Sequence, residues 1–303
     1  MKRLLQNLPI RVKIGLIVLL PLCGYLVSAG MNLLAIHGDY GSARSVASLV
    51  AFDGQISQLV HELQKERGSS SGFLASKGQK FADILTTQRT ATDDKAAAYR
   101  RGQTEIVQLP AAAALSEQLK TFDTLASNLL GTRQKVSNQQ IEPKEAIAYY
   151  TSLISALLDL TAAISHLSND PDITAQMFAY VSFLQAKERS GIERATMSAV
   201  FSKGAFTTET YSRFLQLLAA QDSYLASFRA QSLTDAHKAY DATVRGQVIE
   251  EVERMRQVAL GVGMDSSKTF GIDPEVWFKT ITEKINLLKN VDDELARQII
   301  KAA

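Results

Sequence analysis

The chain has 303 residues, 46% of them hydrophobic, with 6 prolines, 17 glycines and a 7% aromatic share, a balance that supports an ordered core and excludes intrinsic disorder. The formal net charge is +2, but four of the 33 basic residues (Lys2, Arg3, Arg11 and Lys13) precede the first acidic residue, Asp39. The rest of the chain is therefore mildly acidic, which argues against a nucleic-acid footprint, and the single Cys23 excludes an internal disulfide framework or a multi-cysteine zinc site.

From Ile14 to Ile36 the sequence carries no charge. A helix of that length, rising ~1.5 Å per residue, reaches across a ~30 Å hydrocarbon core. With the basic residues before it and Asp39 after it, the positive-inside rule predicts residues 1–13 in the cytoplasm, a single inner-membrane span over 14–36 and a periplasmic body over 37–303. The competing reading is a cleaved secretory signal ending near Val27-Ser28-Ala29, although the apolar run is longer than a signal core requires.

Beyond this segment the prolines mark helix starts. Pro110, Pro143, Pro171 and Pro274 each precede a helical pattern, and proline at the first helical position loses nothing because its N–H would be unpaired there. Thr207-Thr208-Glu209 and Ser232-x-x-Asp235 supply two further starts. The predicted helices are 40–76, 79–106, 111–138, 143–167, 171–202, 207–231, 234–260 and 274–301, with no strand pattern among them. The fold class is all-α, and eight amphipathic helices with short connections favour two four-helix bundles over one irregular bundle.

A partial internal repeat carries the chemistry. Glu66-Arg67-Gly68-Ser69-Ser70-Ser71-Gly72-Phe73-Leu74-Ala75-Ser76-Lys77-Gly78 is echoed, one residue shorter, by Glu193-Arg194-Ala195-Thr196-Met197-Ser198-Ala199-Val200-Phe201-Ser202-Lys203-Gly204. Arg67 interrupts the apolar stripe Phe52, Ile56, Leu59, Leu63, Leu74, and Arg194 interrupts Met177, Val181, Leu184, Phe201. A guanidinium on a buried face needs a counter-charge. One solution is a structural ion pair with Glu66, Glu188 or Glu193. The other is that both arginines converge on a small anion, with Ser70, Ser71 and Ser198 as hydroxyl donors. Guanidinium suits a planar oxyanion because its rigid fork of N–H donors pairs with two oxygens at once. Lys187-Glu188-Arg189 also echoes Lys65-Glu66-Arg67, so Arg189 is the alternative to Arg194, on a different helix face.

On Leu63-Gln64-Lys65-Glu66-Arg67-Gly68 and Lys187-Glu188-Arg189-Ser190-Gly191-Ile192-Glu193-Arg194-Ala195, the chain resembles the nitrate- and nitrite-sensing domain family of bacterial chemoreceptors, histidine kinases and transcription antitermination regulators. The resemblance covers residues 45 to 300. It implies paired helical bundles, an anion held by Arg67 and Arg194, and helix shifts that alter an attached output domain.

The resulting expectation is the input module of a membrane-anchored, chemoreceptor-like transducer, embedded in the inner membrane and, by analogy with such sensors, homodimeric. Its ligand would be nitrate or nitrite, with no nucleic-acid partner. Because the chain stops at Ala303 without a second apolar span or a signalling module, a truncated receptor or a stand-alone input domain is expected. No cofactor or metal is expected, since His37, His61, His166 and His237 lack ligand spacing. Nor is an enzyme, since no nucleophile–base constellation or phosphate loop is present. The rival readings are a helical sensor for another small anion or organic acid and a structural adaptor in which the arginines pair with glutamates.

Overall fold

The computed structural model describes residues 9–168, 170–265 and 267–302, with side chains described outside 10–14, 16–21 and 32–47. Lys2 and Arg3, the side chains of Arg11, Lys13, His37 and Asp39, and much of the expected span therefore lie outside the described set. Two compact units divide the chain at Val46 and Ala47. The first is helical from Ile10 onward, as part of α1 (Ile10–Ala75), and carries a short apolar stretch, Leu22–Met31, in which Tyr25, Leu26, Val27 and Met31 are exposed.

The second unit holds the two bundles. The first bundle combines α1 from residue 47 onward, α2 (Ala82–Ile106), α3 (Ser116–Ala126) with α4 (Leu129–Ser137), and α5 (Pro143–Ser165). The second combines α6 (Pro171–Lys203), α7 (Thr208–Gln231), α8 (Thr234–Thr243) with α9 (Gln247–Val262), and α10 (Pro274–Ala302). Described residues include no strand.

Helix starts follow their local chemistry. Pro143, Pro171 and Pro274 are the first residues of α5, α6 and α10. Asp170 accepts from the N–H groups of Asp172 and Ile173, and Asp273 from those of Glu275 and Val276, satisfying donors that have no partner inside the helix. Thr207 and Thr210 form a reciprocal capping box at the start of α7. The box expected at Ser232 does not form: α8 begins at Thr234 behind Leu233, with no side-chain cap. Pro110 opens a 3-10 turn, Pro110–Leu115, rather than an α-helix.

Two predicted helices are each split. The helix expected over 111–138 turns at Ser127 and Asn128, where the Ser127 hydroxyl donates to the Thr124 carbonyl. The helix expected over 234–260 breaks at Val244 to Gly246, where Gly246 adopts φ +93°, a conformation open to glycine and strained for other residues. Ten α-helices are thus described where eight were expected, with each third helix in two pieces.

Both copies of Ser-Lys-Gly end their helices as expected. Gly204 (φ +75°) caps α6, its N–H donating to the Val200 carbonyl at 2.9 Å, and Gly78 (φ +77°) donates to the Phe73 carbonyl beyond α1.

Among the described residues, one helix is long and apolar enough to cross a membrane: α5, half buried inside the first bundle through Tyr150, Leu153, Ile154 and Leu157. Length and apolarity do not tell a core helix from a spanning one.

Candidate anion-binding site

Neighbouring residues on a helix point about 100° apart, and each Glu-Arg pair of the repeat uses that angle. The glutamate turns into its own bundle. Glu66 accepts from Arg133 Nε at 2.7 Å and Nη2 at 2.8 Å and from the Tyr150 hydroxyl at 2.7 Å. Glu193 accepts from Arg256 Nε at 2.8 Å and Nη2 at 2.6 Å and from the Gln221 amide at 2.9 Å. Both carboxylates are fully buried, and each is held by an arginine from the second piece of its bundle's broken helix. Arg256 and the Gln221 amide hold the Glu193 carboxyl below its usual range against the opposing effect of burial.

The arginines turn the other way, to the seam where α1 lies beside α6. Arg67 reaches α6, its Nη1 donating to Glu188 Oε1 at 2.5 Å and its Nη2 to Oε2 at 3.1 Å, while Nη1 also reaches the Thr151 hydroxyl on α5 at 2.9 Å. Arg194 reaches α1, its Nη2 donating to the Gln64 carbonyl at 2.6 Å and its Nη1 to the Thr282 hydroxyl on α10 at 3.0 Å. Its guanidinium also lies 5.1 Å from the Phe278 ring centroid.

Each arginine crosses the seam over a glycine. A Cβ at Gly68 would stand 3.1 Å from Arg194 Nε, and one at Gly191 only 2.7 Å from Arg67 Nη2. The atom met at Gly191 is the tip of a long side chain, so Gly191→Ala should displace Arg67 without unfolding the protein. We expect a loss of anion affinity, with at most the usual overpacking cost in stability of about 1–3 kcal/mol. The melting midpoint should fall by no more than a few degrees. Calorimetric titration beside thermal melting checks this, and unchanged affinity would show that Arg67 is not needed in its present position.

The two arginines differ in electrostatics. Arg67 has Glu188 as counter-charge. Arg194 is completely buried, and no carboxylate lies within ion-pair distance among the described residues. Burial, and secondarily the positive charge of Arg67, push its guanidinium down to about 9, against a lesser upward pull from Glu188. It remains charged at neutral pH, and its buried Nε, like that of Arg67, has no hydrogen-bond partner. A buried cation without a counter-charge is costly, and the Nε–H donors of Arg67 and Arg194 could each serve an acceptor.

The hydroxyls sort differently from the expectation. Ser198 donates to the carbonyl of Arg194 at 2.7 Å, so its proton is engaged on its own helix. Ser70 lies on the Glu66 side of α1, beside the Tyr150 hydroxyl. Ser71 sits one turn beyond Arg67 on the same face, buried and with its hydroxyl unpartnered. Arg189 faces α7, 5.3 Å from the Tyr224 ring centroid, away from the seam.

Sequence reasoning did not find Gln64, Thr151, Phe278 or Thr282. Gln64 supplies a carbonyl to Arg194 and an amide to Glu188 at 2.8 Å, and its buried Oε1 has no partner. Isolated threonines and an aromatic on distant helices carry no repeat signal. Thr282 and Phe278 also line a groove of about 480 Å³ with Phe81, Ile84 and Lys279, which brings solvent to the edge of the arginine site.

Comparison with known proteins gives the family and the fold. The model of the family described as "Nitrate and nitrite sensing" matches residues 58–300. A nitrate regulatory protein from Klebsiella oxytoca is 28% identical over 250 residues, covering 82% of this chain and 62% of its own length. The solved structure of the NasR transcription antiterminator superposes with a TM-score of 0.81 at 25% identity, covering 91% of this chain and 74% of that one. This chain therefore spans less than two thirds of the curated relative.

These matches overturn three expectations. The relatives are named as regulators, one of them of transcription, so the membrane-anchored chemoreceptor input module is withdrawn, and with it the membrane-embedded state and the inner-membrane, periplasmic location. Length and apolarity alone do not establish a span: α5, long and apolar enough to cross a membrane, is half buried inside the first bundle. Exclusion of nucleic acid is withdrawn as well: the charge balance describes this stretch alone, and one relative is a transcription antiterminator. With its motifs, paired bundles and seam arginines all inside the matched region, the chain belongs to the nitrate and nitrite sensing family.

Proposed function

We propose that this chain is the anion-sensing module of a regulatory protein, binding nitrate or nitrite between α1 and α6 with Arg67 and Arg194 as the principal ligands. One observation carries the reading: Arg194 is fully buried, charged and without a carboxylate partner among the described residues. Folding retains such a group when something outside the chain supplies the negative charge. Nitrate and nitrite match the donor set, being planar, monovalent and too weakly basic to need a proton, so N–H donors alone suffice. The Thr151 and Thr282 hydroxyls, which already touch the two guanidinium groups, are further polar groups at the site.

The site is built for recognition: the arginines are fixed donors, and the carboxylate beside them, Glu188, is itself held by Arg67 and the Gln64 amide. Binding would couple to regulation through α1 and α6, because an anion that bridges Arg67 and Arg194 relieves their repulsion and favours one spacing of the two helices. A ligand moves such an equilibrium only through a difference in affinity for its two states.

Calorimetric titration with nitrate, nitrite and chloride tests the assignment. Wild type should bind the planar oxyanions in preference to chloride, and Arg67→Ala or Arg194→Ala should remove most of that binding. Wild-type-like nitrate affinity in both variants would refute the site.

A further inference from the structure

Two guanidinium groups meet at the seam with one carboxylate. Glu188 is 2% exposed and held in place, with two N–H groups of Arg67 and the Gln64 amide all donating to its oxygens. Among the neighbouring buried ions Glu66 is matched with Arg133, Glu193 with Arg256, and Lys187 with Asp292, and half-buried Lys284 lies on the far, Glu193–Arg256 side. The charge left over in the seam is that of Arg194.

Resting on the reading of this seam as an anion site, we propose that Glu188 is its valence selector: by neutralising Arg67 in place, it leaves room for one negative charge and rejects a second. A monovalent anion at Arg194 makes the buried cluster neutral. A divalent anion would leave one negative charge uncompensated in a medium where that is costly. Arg67 still takes part, because its Nε is unpaired and both Glu188 contacts use the terminal nitrogens. Selection by charge is distinct from selection by size, and a pocket of this kind discriminates nitrate from sulfate by both.

Perchlorate and sulfate separate the two effects, being tetrahedral and similar in size but different in charge. Titrating each, with nitrate, into wild type and Glu188→Gln gives a ratio of sulfate to perchlorate affinity for each protein. Differences in hydration between the anions cancel when the two ratios are compared. Wild type should bind nitrate and perchlorate and reject sulfate. In Glu188→Gln, sulfate should gain on perchlorate by about tenfold to a hundredfold, the effect of one nearby charge at the effective dielectric of such sites. Nitrate should also bind more tightly as the site gains a positive charge.

An unchanged ratio in a folded Glu188→Gln protein that still binds nitrate would overturn the proposal while sparing the anion site. Failure of wild type to bind any of the three would instead refute the site itself. If Glu188→Gln does not fold, Glu188→Ala takes its place in the comparison of ratios, and sulfate bound by wild type as tightly as perchlorate overturns valence selection without any variant.

Discussion

Replacing Arg194 with methionine should raise the stability of the ligand-free protein and abolish its response to nitrate. Most buried arginines behave in the opposite way, because removing one strands a carboxylate, at a cost of about 3–5 kcal/mol. Here nothing is stranded. The Thr282 hydroxyl still donates to the Phe278 carbonyl at 2.6 Å, and the Gln64 carbonyl lies within a continuous helix. Glu188 keeps Arg67, and Trp277 donates to the backbone carbonyl of residue 194, which the substitution leaves unchanged. Methionine fills similar space, and its thioether suits the face of Phe278.

Exchanging a buried charge for a packed apolar side chain stabilises by about 1–4 kcal/mol in comparable sites. That corresponds to a rise of several degrees in the melting midpoint for a domain of this size. Nitrate narrows that difference and reverses it where the variant's gain is below about 2.7 kcal/mol. At a hundredfold excess over Kd, wild type gains about 2.7 kcal/mol by mass action, and the variant gains nothing. Thermal melts of both proteins with and without nitrate test the pair of effects. Arg133→Met is the control: it leaves buried Glu66 only the Tyr150 hydroxyl and Arg89 at 3.9 Å and should destabilise by up to about 3–5 kcal/mol. A similar loss at Arg194→Met would mean that Arg194 is structural.

That contrast also shows what the sequence made legible. Arg67 and Arg194 stand out because each breaks an apolar stripe at the same place in a repeat, and one structural reason accounts for both: the first helix of each bundle meets the other at the seam. The divergence between them was not legible. Glu66, Glu188 and Glu193 were equal candidates as partners, and only the packing sends Glu66 to Arg133, Glu193 to Arg256 and Glu188 to Arg67. Arg133 and Arg256 sit in short helix pieces with no shared motif around them, so their equivalence emerges only in space.

Helix starts were legible where proline or an aspartate cap states them, as at Asp170-Pro171 and Asp273-Pro274. Breaks inside a helical pattern were not. Gly246 at φ +93° splits a run whose composition favours continuity on both sides. The apolar segment 14–36 misled for a related reason: hydropathy measures the residue and not its surroundings.

Another buried carboxyl group, away from the arginines, sets a pH dependence. Asp53 on α1 is 2% exposed, and the Thr161 hydroxyl donates to it at 2.5 Å. Burial raises its carboxyl to about 7, with Asp292 adding to the rise and Thr161 and Lys289 opposing it. Lys187 and the Tyr180 hydroxyl, which both donate to Asp292, complete the surroundings.

The sign follows from which state holds the proton. Between its ordinary value of 3.8 and about 7, the folded protein keeps Asp53 protonated while the unfolded chain does not. Stability therefore falls as pH rises through this window and is lowest, on this account, above 7. A shift of that size is worth at most about 4 kcal/mol, and relaxation around the carboxylate reduces it to about 2–4 kcal/mol.

Asp53→Asn retains a partner for Thr161 and cannot ionise. Its stability relative to wild type should climb by that amount between pH 4.5 and 8 in urea denaturation. His61, which burial and then Lys187 push down to about 2, drifts the other way below its usual 6.5. That drift is common to both proteins and cancels in their difference. Parallel stability curves would show that Asp53 is ionised in the fold throughout, with Lys289 and Thr161 outweighing its burial.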